Sequence, residues 1–493
     1  MDMKHYHPLT VLFDIIGFFK NFGILAVILF LNKGSDSTFF HIIGWVLLVS
    51  FVYTVAASIW KLFTNRYGTD ERAFHLKSGI FEKTERTVNY EKIQNVQRYT
   101  SFLHKLLRMT SITFETGTSG VNANVPFPVL TRSEADRLES LVKRTSHPVS
   151  QNMNDEPQPD GGRWNESERV IHFTPTHQDL VKASFTSLSF LFFLAIASSL
   201  LAKIGALFHL EDTAEGWFES ILSSGWMIAG FLAIVIMLSI SVGILITFVK
   251  YGKYEIASDD KRIYISKGVL DETAFSIAKD RVQAVEITQS FMKRLLGLAE
   301  VKLISIGDLG DDDNEVSTLY PFLPMQRTYS IISELLPDYE VCQQMKKLPR
   351  KSLAARLLKP YWFWLIATIL LVYFKPALLD FTYGWAIASA VLLAFIVARR
   401  LIVYHNTRYA LTGSQIQLSQ GMFEKTTFIT RRDKIAEVSV KRSKLQQWMG
   451  LATIGFINRA KPVRYESLSD IPIQDAKRFY QWYAKRVTEV LLK

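Results

Sequence analysis

The chain has 493 residues, 48% hydrophobic and 21% charged, with a mean hydropathy of +0.12. That is high for a wholly soluble chain with so many charges, so very apolar and strongly charged stretches must alternate along it. A net charge of +11 narrows the partners to nucleic acid, an anionic membrane surface or the basic flanks of membrane helices, and the single cysteine, Cys342, excludes an intrachain disulfide or a cysteine metal site.

The first apolar segment runs from about Leu9 to Leu31, interrupted by Asp14, Lys20 and Asn21. It lacks a cleavage site of small residues and is expected to stay as an anchor. Phe39–Trp60 holds no Asp, Glu, Lys or Arg and is long enough to span a bilayer, which takes about 20 residues. Ser184–Ala202, Ile221–Val249, Pro360–Phe374 and Phe381–Ala398 are also charge-free. The six segments come in pairs, separated by turns at Asn32–Thr38, about Lys203–Ser220 and Lys375–Asp380. The middle turn carries Glu211, Asp212, Glu215 and Glu219. Basic residues flank the pairs instead: Lys4, Lys182, Arg350, Lys351, Arg356 and Lys359 before them, Lys61, Arg66, Lys250, Lys253, Arg399, Arg400 and Arg408 after them. The positive-inside rule then predicts six transmembrane helices in three hairpins, with both termini and all polar blocks cytoplasmic.

The expected boundaries are a hairpin at 9–63, a polar domain at 64–145, a linker at 146–183, a hairpin at 184–249, a domain at 250–340, a linker at 341–359, a hairpin at 360–400 and a domain at 401–493. The first linker is rich in Pro, Gly and Asn, as in "NMNDEPQPDGGRWN".

The polar blocks repeat one another. "GIFEKTERTVNYEKIQNV" from Gly79 returns as "GVLDETAFSIAKDRVQAV" from Gly268 and "GMFEKTTFITRRDKIAEV" from Gly421. Counted from these glycines, Thr84, Thr273 and Thr426 coincide, as do Ile93, Val282 and Ile435, then Val96, Val285 and Val438, then Ser101, Ser290 and Ser443. Such internal repetition marks duplication. Each glycine, set between β-prone residues, predicts a tight hairpin. Apolar residues three apart, as in Ile93/Val96, break the strand period and predict a bulge or tight turn. "SFLHKLLRM", "SFMKRLLGL" and "SKLQQWMGL" carry helical spacing at Leu103, Leu106 and Met109, at Met292, Leu295 and Leu298, and at Leu445, Trp448 and Leu451. Strand-like pieces follow, then a proline and a terminal helix. The plan is α+β, an antiparallel β-rich body closed by a helix.

With its N-terminal "YHPLTVLFDIIGFF", its hairpins and its triplicated "G…KIQNV…S…LLRM" pattern, the chain resembles YdbT-type bacterial membrane proteins. These carry pleckstrin-homology-like (PH-like) domains of the second bacterial type. The resemblance implies a bent β-sandwich with a C-terminal helix in each polar block, a bacterial plasma-membrane location, a link to cell-envelope upkeep and no catalytic residues.

The candidate lipid- or partner-facing residues are the basic ones around the short helices: Lys92, Arg98, Lys105 and Arg108; Arg281, Lys293 and Arg294; Lys434, Lys441, Arg442 and Lys444. Near an anionic leaflet each contributes on the order of 1 kcal/mol. The competing reading is a solvated face over a packing helix. The first hairpin holds mixed charge, Glu82/Lys83, Asp271/Glu272 and Glu424/Lys425, which disfavours phosphoinositide capture there. "GDLGDDDNE" at 307–315 lacks the spacing of a calcium loop and reads as a hairpin tip. No metal or cofactor motif is present, and none is expected to be bound. The expected function is a non-enzymatic membrane scaffold that binds membrane lipids and a membrane-protein partner or further copies of itself, not nucleic acid. The alternative is a transporter or lipid-handling protein.

Overall fold

The computed structural model describes residues 3–31, 38–79, 83–116, 124–146, 169–186, 225–305, 318–374, 383–460 and 463–491. The three inter-helix turns, residues 187–202 of the second hairpin, most of the 146–183 linker and the 307–315 acidic stretch lie outside them. The chain forms two compact units, one of residues 1–170 with 264–278, the other of 171–263 with 279–493.

In the first unit, helices α1 (Thr10–Leu31) and α2 (Thr38–Thr64) pack together. Strands β2 (Arg66–Thr69), β3 (Ala73–Ser78) and β4 (Thr84–Asn89) follow as an antiparallel meander. At the β3–β4 turn Gly79 has φ 116°. A second meander holds β5 (Ile93–Thr100), β6 (Met109–Thr116) and β7 (Asn124–Thr131), with the short helix α3 (Phe102–Leu106) after β5. A register shift between Ile93 and Asn95 is the bulge that lets Ile93 and Val96 both turn inward. Helix α4 (Arg132–Ser146) covers β6 and β7 with Ala135, Leu138 and Val142. Phe74 from the first sheet, Phe114 and Phe127 from the second and Leu138 from α4 meet in one core. Each such side chain contributes on the order of 1.5–3 kcal/mol on burial.

A third part of this unit comes from far along the chain. Strand β11 (Glu272–Ala278) lies antiparallel against β5, with Glu272 opposite Thr100 and Phe275 opposite Gln97. β11, the second module's counterpart of β4, is thus joined edge-to-edge to β5 of the first module.

The same body recurs further along the chain. Helix α5 (His177–Ser184) packs on α6 (Gly225–Tyr251). After β8 (Val170–Phe173), β9 (Glu255–Ser258) and β10 (Arg262–Lys267) come β12 (Val282–Gln289), β13 (Leu298–Ser305) and β14 (Thr318–Pro324), with helix α7 (Phe291–Leu295) after β12 and helix α8 (Met325–Leu335) closing the module. The third module follows β15 (Lys346–Lys347), helix α9 (Arg350–Leu358) and helices α10 (Trp362–Phe374) and α11 (Gly384–Asn406). It holds β16 (Arg408–Thr412), β17 (Gln415–Gln420), β18 (Lys425–Arg431), β19 (Ile435–Lys441), helix α12 (Lys444–Met449), β20 (Leu451–Asn458), β21 (Arg464–Pro472) and helix α13 (Ile473–Leu491). The join repeats: β18 lies against β12, with Lys425 opposite Gln289 and Thr430 opposite Ala284.

Each first sheet gains a strand from the residues before its hairpin. β1 (Lys4–His5) pairs with β2, and β15 pairs with β16 in the same relative register. Lys4 reaches Glu134 at 3.0 Å and Lys346 reaches Asp475 at 2.6 Å, while Tyr67 and Tyr409 donate to the same carboxylates. The segments read from sequence as linkers, 146–183 and 341–359, therefore contain β8 with α5 and β15 with α9. Two- to four-residue strands have no periodicity to read. Among the described residues, Phe40–Thr64, Arg350–Phe374 and Gly384–Asn406 are long and apolar enough to cross a membrane.

Candidate interaction surface

The three short helices α3, α7 and α12 are built alike. Ser101, Ser290 and Ser443 cap them, each side chain accepting from the backbone N–H three residues on. The last turn ends at a left-handed residue: Arg108 with φ 56°, Gly297 with φ 67° and Gly450 with φ 71°. That geometry stops each helix after five or six residues and opens the next strand. The sequence spacing put Met109, Leu298 and Leu451 on the helix; they are the first residues of β6, β13 and β20.

A helix this short can bury one side only. Its inner contact is His104, Lys293 or Gln446, and its outer side is apolar and open to solvent. Leu106, Leu295 and Trp448, equivalent in the repeat, are 68%, 74% and 82% exposed. Phe102 and Phe291 are exposed beside them. From the sequence Leu106, Leu295 and Trp448 could be given only helical spacing, because spacing alone cannot say whether a helix has a second wall.

Each short helix lies near the end of an apolar helix. The His104 ring stacks on Phe13 of α1 with centroids 3.9 Å apart. Lys293 lies 5.3 Å from the Phe322 ring, which meets Tyr251 at the end of α6 edge-on. Gln446 Nε2 donates to Asp470 Oδ1 at 2.8 Å, and Lys359, just before α10, donates to the other oxygen of that carboxylate. The third module's glycine turn is tied to the same end, since Asn406 Nδ2 at the close of α11 donates to the Gly421 carbonyl at 3.0 Å.

The basic candidates divide into two groups. Arg98 pairs with Asp136 at 2.7 Å, Lys293 with Glu300 at 2.6 Å, and Arg281 stands 3.8 Å from Asp280. Lys105 reaches Glu272 at 2.9 Å and the Val269 carbonyl at 2.7 Å, so it fastens the second module's glycine turn to the first module. Lys434 donates to the Asp280 carbonyl at 2.7 Å, which serves the second join. Arg442 lies exposed, donating to the Leu451 carbonyl at 3.1 Å. Lys92, Arg108, Arg294, Lys441 and Lys444 are exposed. Each module thus carries an exposed apolar tip with exposed cations close by in the chain, Arg108 in the first, Arg294 in the second and Lys441, Arg442 and Lys444 in the third. A further cluster, which sequence reasoning missed, gathers Arg356 and Lys359 around the buried Asp470.

Residues 12–146, 194–336 and 363–487 each match the bacterial PH domain family. The chain belongs to the bacterial PH domain family. It is 21% identical over 506 residues to UPF0699 transmembrane protein YdbT of Bacillus subtilis (strain 168), covering 98% of each chain. No solved structure matches it. The triplicated PH domains and the apolar helices support a membrane location for the protein.

Proposed function

We propose that the protein is a non-enzymatic, multi-pass membrane scaffold whose three PH modules lie against the inner leaflet, each moored by a helical hairpin, with both termini cytoplasmic. The observation that carries this reading is the triplicated apolar tip, Leu106, Leu295 and Trp448, exposed in each module within a few residues of an exposed cation, Arg108, Arg294 or Lys444. Aromatic and cationic residues suit the headgroup layer, where a ring is half wetted and a cation meets anionic lipid. Arg108 adds weight. It holds a left-handed backbone at a position where both other modules have glycine. Such strain in a non-glycine residue persists where the side chain is used. The setting in cell-envelope upkeep rests on the family resemblance alone.

The test is a nitroxide on Trp448→Cys in a Cys342→Ser background, with the full chain in vesicles. The expected result is strong relaxation by lipid-dissolved oxygen and weak relaxation by an aqueous nickel chelate, with the contrast growing in anionic vesicles and shrinking with salt. A label equally open to the aqueous reagent in every vesicle would overturn the reading.

A further inference from the structure

The joins between modules obey one register. Thr100, 21 residues past Gly79, faces Glu272, four past Gly268. Gln289, 21 residues past Gly268, faces Lys425, four past Gly421. The second sheet of one module always receives the first sheet of the next, through equivalent strands: β5 takes β11, and β12 takes β18.

Three modules make two joins and leave half a join at each end. β4, the counterpart of β11 and β18, is the last strand of its sheet, in the order β1-β2-β3-β4. β19, the counterpart of β5 and β12, is the outer strand of the order β19-β20-β21. Among the described residues no strand pairs with either outer edge. Exposure follows. Val440 of β19 is 39% exposed, whereas its counterpart Ile287 in β12, covered by Thr427, is 2% exposed. Thr84, Glu85 and Thr87 of β4 are exposed as well. An open edge is a template for a further strand.

We propose that β19 of one molecule adds to β4 of a second copy of this chain, in the register of the internal joins, with Lys441 opposite Thr84, Val440 opposite Glu85 and Val438 opposite Thr87. The occupant is a second copy because the two edges are the halves of one join, and every molecule carries one of each. Charges on the edges do not forbid it: the existing joins hold Arg98 and Glu272 in one and Glu286 and Lys425 in the other. Glu85 would also stand diagonal to Arg442, two residues along the same face. A contact between two different edges is head-to-tail, so it produces a row or ring of copies rather than a closed pair. This needs only the two strand edges and stands apart from the lipid contact proposed above.

The test uses full-length chains in membranes, all carrying Cys342→Ser. One tagged copy bears Glu85→Cys and a differently tagged copy bears Val440→Cys; both positions are exposed, so folding is spared. Mild oxidation should yield a disulfide-linked species carrying both tags, and a chain bearing both substitutions should give a ladder of multimers. Replacing Val440→Cys by Glu437→Cys moves the thiol three positions along and onto the other face, and the yield should fall several-fold. Absence of the mixed species, equal yield from the out-of-register pair, or a double variant that closes only on itself as a monomer would each overturn the proposal.

Discussion

Lys359, at the entrance to α10, donates to the fully buried carboxylate of Asp470 at 2.9 Å. Arg356 reaches the same oxygen at 3.3 Å, and Ser352 Oγ donates to the Asp470 carbonyl at 2.5 Å. The buried acid therefore ties the third PH module to α9 and the start of α10. Asp470 holds φ 67°, which Asn also tolerates. Asp470→Asn keeps the backbone and the Gln446 contact but strands the largely buried Arg356 without an opposite charge. Breaking one side of a buried pair costs about 3–5 kcal/mol. Faster hydrogen exchange in β20, β21 and α12 of the full chain should report it. Lys359→Gln, half exposed, should cost far less.

Arg108→Gly should stabilise the first module by about 0.5–1 kcal/mol. Relief of a left-handed non-glycine backbone is worth about 1–2 kcal/mol, and the greater freedom of glycine in the unfolded chain takes part of it back. The check is a chemical denaturation midpoint for the first module. If Arg108 serves lipid contact, the same variant should weaken association with anionic lipid while folding more tightly.

Acidification should loosen the added strands β1 and β15. Burial disfavours the charge on Glu134, but Arg137 and Lys4 outweigh it and hold the carboxyl below its ordinary 4.5. Burial likewise opposes the charge on Asp475, yet Lys346 and Tyr409 hold it below 3.8. A carboxyl depressed in the folded state adds stability that is full above its unfolded value and lost as pH falls through the folded one. Protection of β1 should therefore be constant above about pH 4.5 and decline below it. Glu134→Gln should flatten that decline at β1 and leave β15 unchanged, as read by exchange at single strands.

His104 should make α3 weaken at mildly acid pH. Burial lowers its affinity for a proton below the ordinary 6.5, although the Pro128 carbonyl and Asp271 work in the opposite sense. The unfolded chain then binds the proton first, so stability is full above 6.5 and falls as pH drops toward the folded value. The ring would also charge against Phe13. His104→Gln places there what Gln446 supplies in the third module, and should abolish the pH dependence of α3 protection between about pH 7.5 and about pH 5, a span around the ordinary histidine value of about 6.5.

Much of the module was legible in one dimension because its signals are local. A glycine with φ 98° at Gly268 or 137° at Gly421 has no room for a side chain: an added Cβ would overlap the carbonyl of Asp271 or Glu424. The capping serines and the amphipathic helix α4 likewise depend on near neighbours in the chain. Lys105 shows where such reading stops. Its charge was visible, but Glu272, its partner, lies 167 residues away and was counted with a different turn.

By itself, then, the amino-acid order determined the threefold repeat, the place of those apolar helices that lie among the described residues and the sheet-and-helix character of each module, since all of these depend on residues within a turn or two. Only the folded chain decided which strand edges meet, which cations are spent on carboxylates such as Asp136, Glu272 and Glu300, and that Trp448 faces outward. Those outcomes depend on backbone hydrogen bonds and on neighbours brought from distant parts of the chain. A backbone N–H carries no mark of the strand it will join.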